Sequence, residues 1–278
     1  MISNAPTMLV DGTARTVLEV IGALATAAVV VWAVRGRSRD QVVANVAIIA
    51  GAVTSCLFAE PALDAIYGVS WGVAGDDPHT VIRIFGESIP LWMVGLYVVF
   101  TGGGTIFTLD RLRRGAGPRE LAVIFAAVAA ADIVGQGIVL HLTDLYAYYG
   151  AGQPLFDSRL WPEPLYVAIA SGSGPLLGAA LILVGPRVFG RGHLVLFPFL
   201  LPTAWFTWFL FCTGLSAASV NSSAPTAVAT LLGSLAVGWT IFVTQRLLIR
   251  ELPGLYRLAA QSQSSPTQLV GAATSPPP

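Results

Sequence analysis

The sequence contains no lysine, and all fifteen of its basic residues are arginine. Without lysine there is no Schiff base, which excludes a retinal protein, and no P-loop lysine for a nucleotide. Charge of either sign is scarce, at 11% of 278 residues, where soluble domains carry roughly a quarter. Only two cysteines occur, Cys56 and Cys212, both inside apolar stretches and without Cys-x-x-Cys or Cys/His spacing. Neither a disulfide framework nor a zinc site is expected from them. What fills the chain instead is apolar: 55% hydrophobic residues and a mean hydropathy of +0.72. At about 20 residues per crossing, this composition describes an all-α polytopic membrane protein with room for six to eight spans. A large extramembrane domain is excluded, and the expected surroundings are a lipid bilayer with no nucleic-acid partner.

Seven apolar stretches are readable: 17–34, 42–59, 89–109, 121–142, 165–184, 194–215 and 225–245. The first follows Asp11 and Arg15 and carries Glu19 in its first turn, with no basic segment before it, so a cleaved signal peptide is not expected. The connections after spans one, three and five and the segment after span seven hold twelve arginines, against Arg15, Arg83 and Arg159 on the opposite side. Ten of the fifteen carboxylates collect on that opposite side. The positive-inside bias therefore predicts an N-out, C-in bundle of seven helices in a bacterial plasma membrane. Residues 1–16 form the outer N-terminal segment, 17–250 the membrane domain, and 251–278 a cytoplasmic tail whose Gln, Ser, Thr and Pro content predicts disorder. The two long outer connections, 60–88 and 143–164, are rich in Gly, Pro, Asp and aromatics, which suits ordered caps or re-entrant segments better than loose linkers.

Ionisable groups at membrane depth are costly, which makes them candidates for function. Asp132 lies about 18 Å into span four at ~1.5 Å per residue, near the midplane, with Gln136 one turn later on the same face. The pair suits proton sharing or the placing of a water, and it equally suits polar bonding between helices. Glu60 and Asp64 end span two in Glu60-Pro61-Ala62-Leu63-Asp64. If the helix runs through Pro61, both carboxylates project from one face at the outer interface. Close carboxylates repel, so a proton shared between them suits acid catalysis; the alternative is an interfacial glutamate and a loop cap.

The three histidines form no His-x3-His or Glu-x-x-His pair, and no metal or cofactor is expected. His141 ends span four and is a candidate substrate contact, while His193 sits among arginines. Span six carries Trp205, Phe206, Trp208, Phe209 and Phe211, suited to lipid contact or to a pocket whose π faces stabilise a cation. Pro198, Pro202 and the run Ser171-Gly172-Ser173-Gly174-Pro175 permit kinks and close helix approach. Asp110-Arg111 matches only two residues of the receptor Asp/Glu-Arg motif and is read as part of an arginine-rich connection.

Glu60-Pro61-x-x-Asp64, then Trp71, then Phe85-Gly86-x-x-Ile89-Pro90-Leu91-Trp92 form an ordered series. Tyr148-Tyr149-Gly150-x-x-Gln153-Pro154-Leu155 and Trp161-Pro162 follow. In these motifs, over residues 45–245, the chain resembles the AveC-type spirocyclase family of actinobacterial membrane proteins. The resemblance implies a membrane-embedded, acid-assisted cyclase that closes spiroketal rings on an apolar, polyketide-like substrate of secondary metabolism without a redox cofactor. It also implies an acidic residue in the span before the Tyr-Tyr-Gly motif, where Asp132 stands. The expected catalytic residues are Asp132, Glu60 and Asp64. Gln136, His141, Tyr148, Tyr149, Gln153, Trp92 and Trp205 are the expected substrate contacts. A protonation-initiated terpenoid cyclase uses the same residue types, and a lipid or metabolite carrier is the non-enzymatic alternative; the absence of an internal repeat disfavours the carrier.

Overall fold

A computed structural model of the chain describes residues 12–72, 78–148, 164–220 and 225–264. These residues fold into seven long helices, α1 (Gly12–Val34), α2 (Arg39–Tyr67), α3 (Leu91–Arg113), α4 (Pro118–Thr143), α5 (Leu165–Phe189), α6 (His193–Val220) and α7 (Ala227–Gln261). Six of them are long and apolar enough to cross a membrane. The remaining one, α4, is 26 residues long and occupies the fourth expected span. The protein is a multi-pass membrane protein with an all-α bundle.

Local chemistry sets the helix boundaries. Ser38 and Gln41 form a reciprocal capping box at the start of α2, and Gly68 ends it in a left-handed conformation, its N–H bonded to the Asp64 carbonyl. At one end of the bundle, Arg37 donates both guanidinium nitrogens to the Asp110 carboxylate at 2.5 Å each. Arg113 donates to the same carboxylate at 2.7 Å, and Arg111 bonds Glu120. The carboxylate beside it holds the Arg37 guanidinium above its ordinary range. This places Asp110 and Arg111, read above as part of an arginine-rich connection, in an ionic clasp across two connections.

The opposite end carries two short antiparallel ribbons. Strand β1 (Val69–Trp71) pairs with β4 (Tyr146–Tyr148), with Ser70 opposite Ala147. The two expected caps are thereby tied to each other through strands more than 70 residues apart in sequence. Strands β2 (Thr80–Ile84) and β3 (Glu87–Pro90) form a hairpin around Phe85-Gly86. Both turn residues have positive φ, 56° and 88°, as a two-residue type I′ turn requires. His79 Nδ1 lies 2.6 Å from Glu19 Oε1 and links this hairpin to α1.

Close backbone contact replaces side-chain packing at one crossing. A Cβ on Gly95 of α3 would sit 3.0 Å from both the Cα and the carbonyl oxygen of Gly22 in α1. Small residues at such crossings let helices approach where the bilayer supplies no hydrophobic drive.

Two expected boundaries are corrected. Helix α2 continues through Pro61 for the eight residues Glu60–Tyr67, so Glu60 belongs to the helix body and not to its end. Helical structure also persists beyond residue 250: Leu252–Ser264 is helical, with Leu252 fully buried and Leu255, Tyr256 and Ala259 packed on the core. Spacing of i, i+3, i+4 and i+7 gives that stretch one apolar face, which outweighs its polar composition. The rest of the expected tail, 265–278, lies outside the described residues, as do residues 1–11.

Candidate functional site

Two π-helical turns shape the site. One, Ser55–Ala59, immediately precedes Glu60 in α2; the other, Val98–Gly103, immediately follows Tyr97 in α3. Each inserts an extra residue into its helical turn and so re-aims the side chains on either side. The first also lies where Pro61 removes a backbone donor and crowds the carbonyl four residues earlier. The result is a hydrogen bond from the Tyr97 hydroxyl to the Glu60 carboxylate.

Glu60, Asp64 and Asp132 border one cavity of about 180 Å³. Each carboxylate accepts a hydrogen bond from a neutral donor. Trp71 Nε1 donates to Asp64 Oδ2 at 2.6 Å, and Gln136 Nε2 donates to Asp132 Oδ1 at 2.8 Å. Neither Glu60 nor Asp64 has an arginine partner among the described residues. Asp64 and Trp71 are both buried, while Glu60 and Asp132 are half-buried. The Tyr148 hydroxyl reaches Gln136 Oε1 at 3.5 Å, connecting the β1–β4 ribbon to the C-terminal part of α4.

The remaining wall is aromatic and aliphatic. Trp71 and Trp92 meet edge to face at 5.5 Å, and Trp205 and Phe209 lie 4.9 Å apart on α6. Tyr67 bonds Thr213 through its hydroxyl and packs on Phe209. Ser171 and Pro175 reach the cavity from α5, where the small-residue run breaks the helix at Ser173. A Cβ on Gly174 would lie 2.4 Å from the Trp205 ring, so glycine is what lets that indole lie against α5.

Of the expected site residues, Glu60, Asp64, Asp132, Gln136, Trp92, Tyr148 and Trp205 border this one cavity. Tyr149, Gln153 and the side chain of His141 lie outside the described residues. Tyr97, Trp71 as a donor and Tyr67 were not anticipated as site residues, whereas Phe209 is one of the span-six aromatics read as suited to lipid contact or to a pocket, and it borders the cavity. For Tyr97 a signal existed: a tyrosine inside an apolar span needs a partner for its hydroxyl, and the nearby glutamate of the preceding helix is the natural acceptor. Among the described residues, no group of three His, Cys, Asp or Glu side chains has the arrangement to hold a metal ion.

Such a site can hold a proton beside an apolar ligand, orient an oxygen of that ligand through Tyr or Gln, and face a developing positive charge with carboxylate and π surfaces. No family model matches the chain, nor does any curated protein or solved structure.

Proposed function

We propose that the protein is a membrane-embedded cyclase that closes rings on an apolar, oxygen-bearing substrate by acid catalysis, as its resemblance to AveC-type spirocyclases implies. The observation that carries this reading is the convergence of Glu60, Asp64 and Asp132 on one cavity otherwise walled by aromatic and aliphatic side chains. Closing a spiroketal begins with protonation of a hemiketal hydroxyl. The C–O bond breaks, water leaves, and an oxocarbenium ion remains; a second hydroxyl then forms the new C–O bond and returns its proton to the carboxylate. Asp132 or Glu60 supplies the proton, and the other, or Asp64, offsets the cationic charge. Tyr148 and Gln136 orient the substrate, and the reaction takes place in a bacterial plasma membrane.

The cavity of about 180 Å³ equals roughly six water volumes at ~30 Å³ each. That space suits a closing bicyclic core. Trp205 and Phe209 on its wall also suit the carbocation of a protonation-initiated terpenoid cyclase. Product analysis with both substrate classes separates the two.

The test is metabolite profiling of the native host carrying wild type, Asp132→Asn or Glu60→Gln at equal membrane expression. Each substitution should lower product formation at least tenfold, on the general scale of ~10²–10⁴ for acid–base groups, with an uncyclised precursor accumulating. Full activity in both variants refutes the assignment.

A further inference from the structure

Helix α4 is held unevenly. It packs along α5 and touches the C-terminal part of α7, and β4 lies against it at the far end. No packing of comparable extent joins it to α3, its neighbour in sequence, among the described residues. The two helices are fastened at one end, where residues 114–117 turn the chain and Arg111 bonds Glu120. Away from that clasp both helices border the cavity, whose wall takes Leu96 and Phe100 from α3 and Ala131 and Gly135 from α4. Ala131 and Gly135 are exposed although they line the cavity, and a Cβ added to Gly135 would meet nothing within 4 Å. Above them Val69, Trp71 and Tyr148 of the β1–β4 ribbon also line the cavity, as a roof.

We propose that the gap between α3 and α4 is a lateral portal through which an apolar substrate chain enters the cavity from the bilayer. Its edges at this depth are hydrocarbon or glycine, which match lipid rather than water. Asp132, half-buried on the same face of α4, stands just inside it. A substrate longer than the cavity then needs no larger pocket: the reacting part lies inside and the remaining tail stays in the acyl-chain region. The inference rests on the cavity being the substrate site, as proposed above.

The test uses a small hydrocarbon diazirine that partitions into membranes, photolysed in proteoliposomes containing the full-length protein, with adducts mapped by mass spectrometry. Adducts are expected on Trp92 and Tyr97, both buried and lining the cavity, besides those on the lipid-exposed Leu231 and Leu235 of α7. Gly135→Trp on one edge and Leu96→Trp on the other should each reduce the interior adducts at least fivefold while leaving those on α7 unchanged. Absence of interior adducts in wild type overturns the portal, as does interior labelling that survives both substitutions in folded protein. The cyclase reading fails separately: if the portal labels as expected but Asp132→Asn retains full product formation, the entry route stands and the acid assignment falls.

Discussion

The bond from Trp71 to Asp64 holds the β1–β4 ribbon back against the end of α2, from which β1 continues through Gly68, and its energy can be isolated. Both side chains are buried, at 6% and 3% exposure, with Nε1 to Oδ2 at 2.6 Å. Trp71→Phe keeps an aromatic ring against Trp92 but deprives a buried carboxyl group of a donor, at a cost of about 1–3 kcal/mol for a buried acceptor left unsatisfied. Asp64→Leu strands the indole N–H instead, at about 1–3 kcal/mol. The double variant leaves neither group stranded, so it should be less destabilised than the sum of the singles by about 2 kcal/mol, since each single cost contains its own desolvation penalty. The assay is SDS titration of the purified protein in mixed micelles, followed by far-ultraviolet circular dichroism, for wild type, both singles and the double. Additivity to within about 0.5 kcal/mol is the behaviour of independent sites; that result would mean the bond does not fasten the ribbon, and the reasoning fails.

Leu252→Ala should destabilise the fold by about 2–5 kcal/mol, the range for a fully buried leucine, because Leu252 is completely buried at the start of the last helical segment. The same titration measures it, and a change below about 0.5 kcal/mol, typical of a surface position, would return residues 252–264 to the status of a loose tail. Orientation is open to thiol labelling, since Cys56 and Cys212 are both buried. A membrane-impermeant maleimide applied to intact cells should label Phe85→Cys at the hairpin tip and leave Ser38→Cys unlabelled until lysis. The reverse pattern would invert the bundle.

The helices were legible because hydrocarbon thickness imposes length, and length with apolar composition is visible in any window of the chain. Asp132 and Gln136 were legible for a related reason: a four-residue spacing in a regular helix puts two side chains together whatever surrounds them. The bond between Tyr97 and Glu60 was not. It depends on two π-helical turns, and an inserted residue breaks the periodicity by which faces are assigned. The pairing of 69–71 with 146–148 escaped because strand partners separated by two long helices leave no local pattern. Residues 252–264 were misjudged because a helix that buries one narrow stripe has nearly the average composition of a tail.

The uneven fastening of α4 has a mechanical consequence. From Gly117, beside the clasp, to Gly135 the helix rises about 27 Å at ~1.5 Å per residue. A tilt of about 5° around the clasp therefore displaces Gly135 by about 2.4 Å over that same length, half the diameter of a hydrocarbon chain or more. The Arg111–Glu120 contact at the narrow end is the fulcrum of such a tilt, and angular play there changes the width at the far end, where packing on α5 and the Tyr148–Gln136 bond resist it. Bilayer thickness and lateral pressure, which act on helix tilt, become the quantities to which the width of this opening responds.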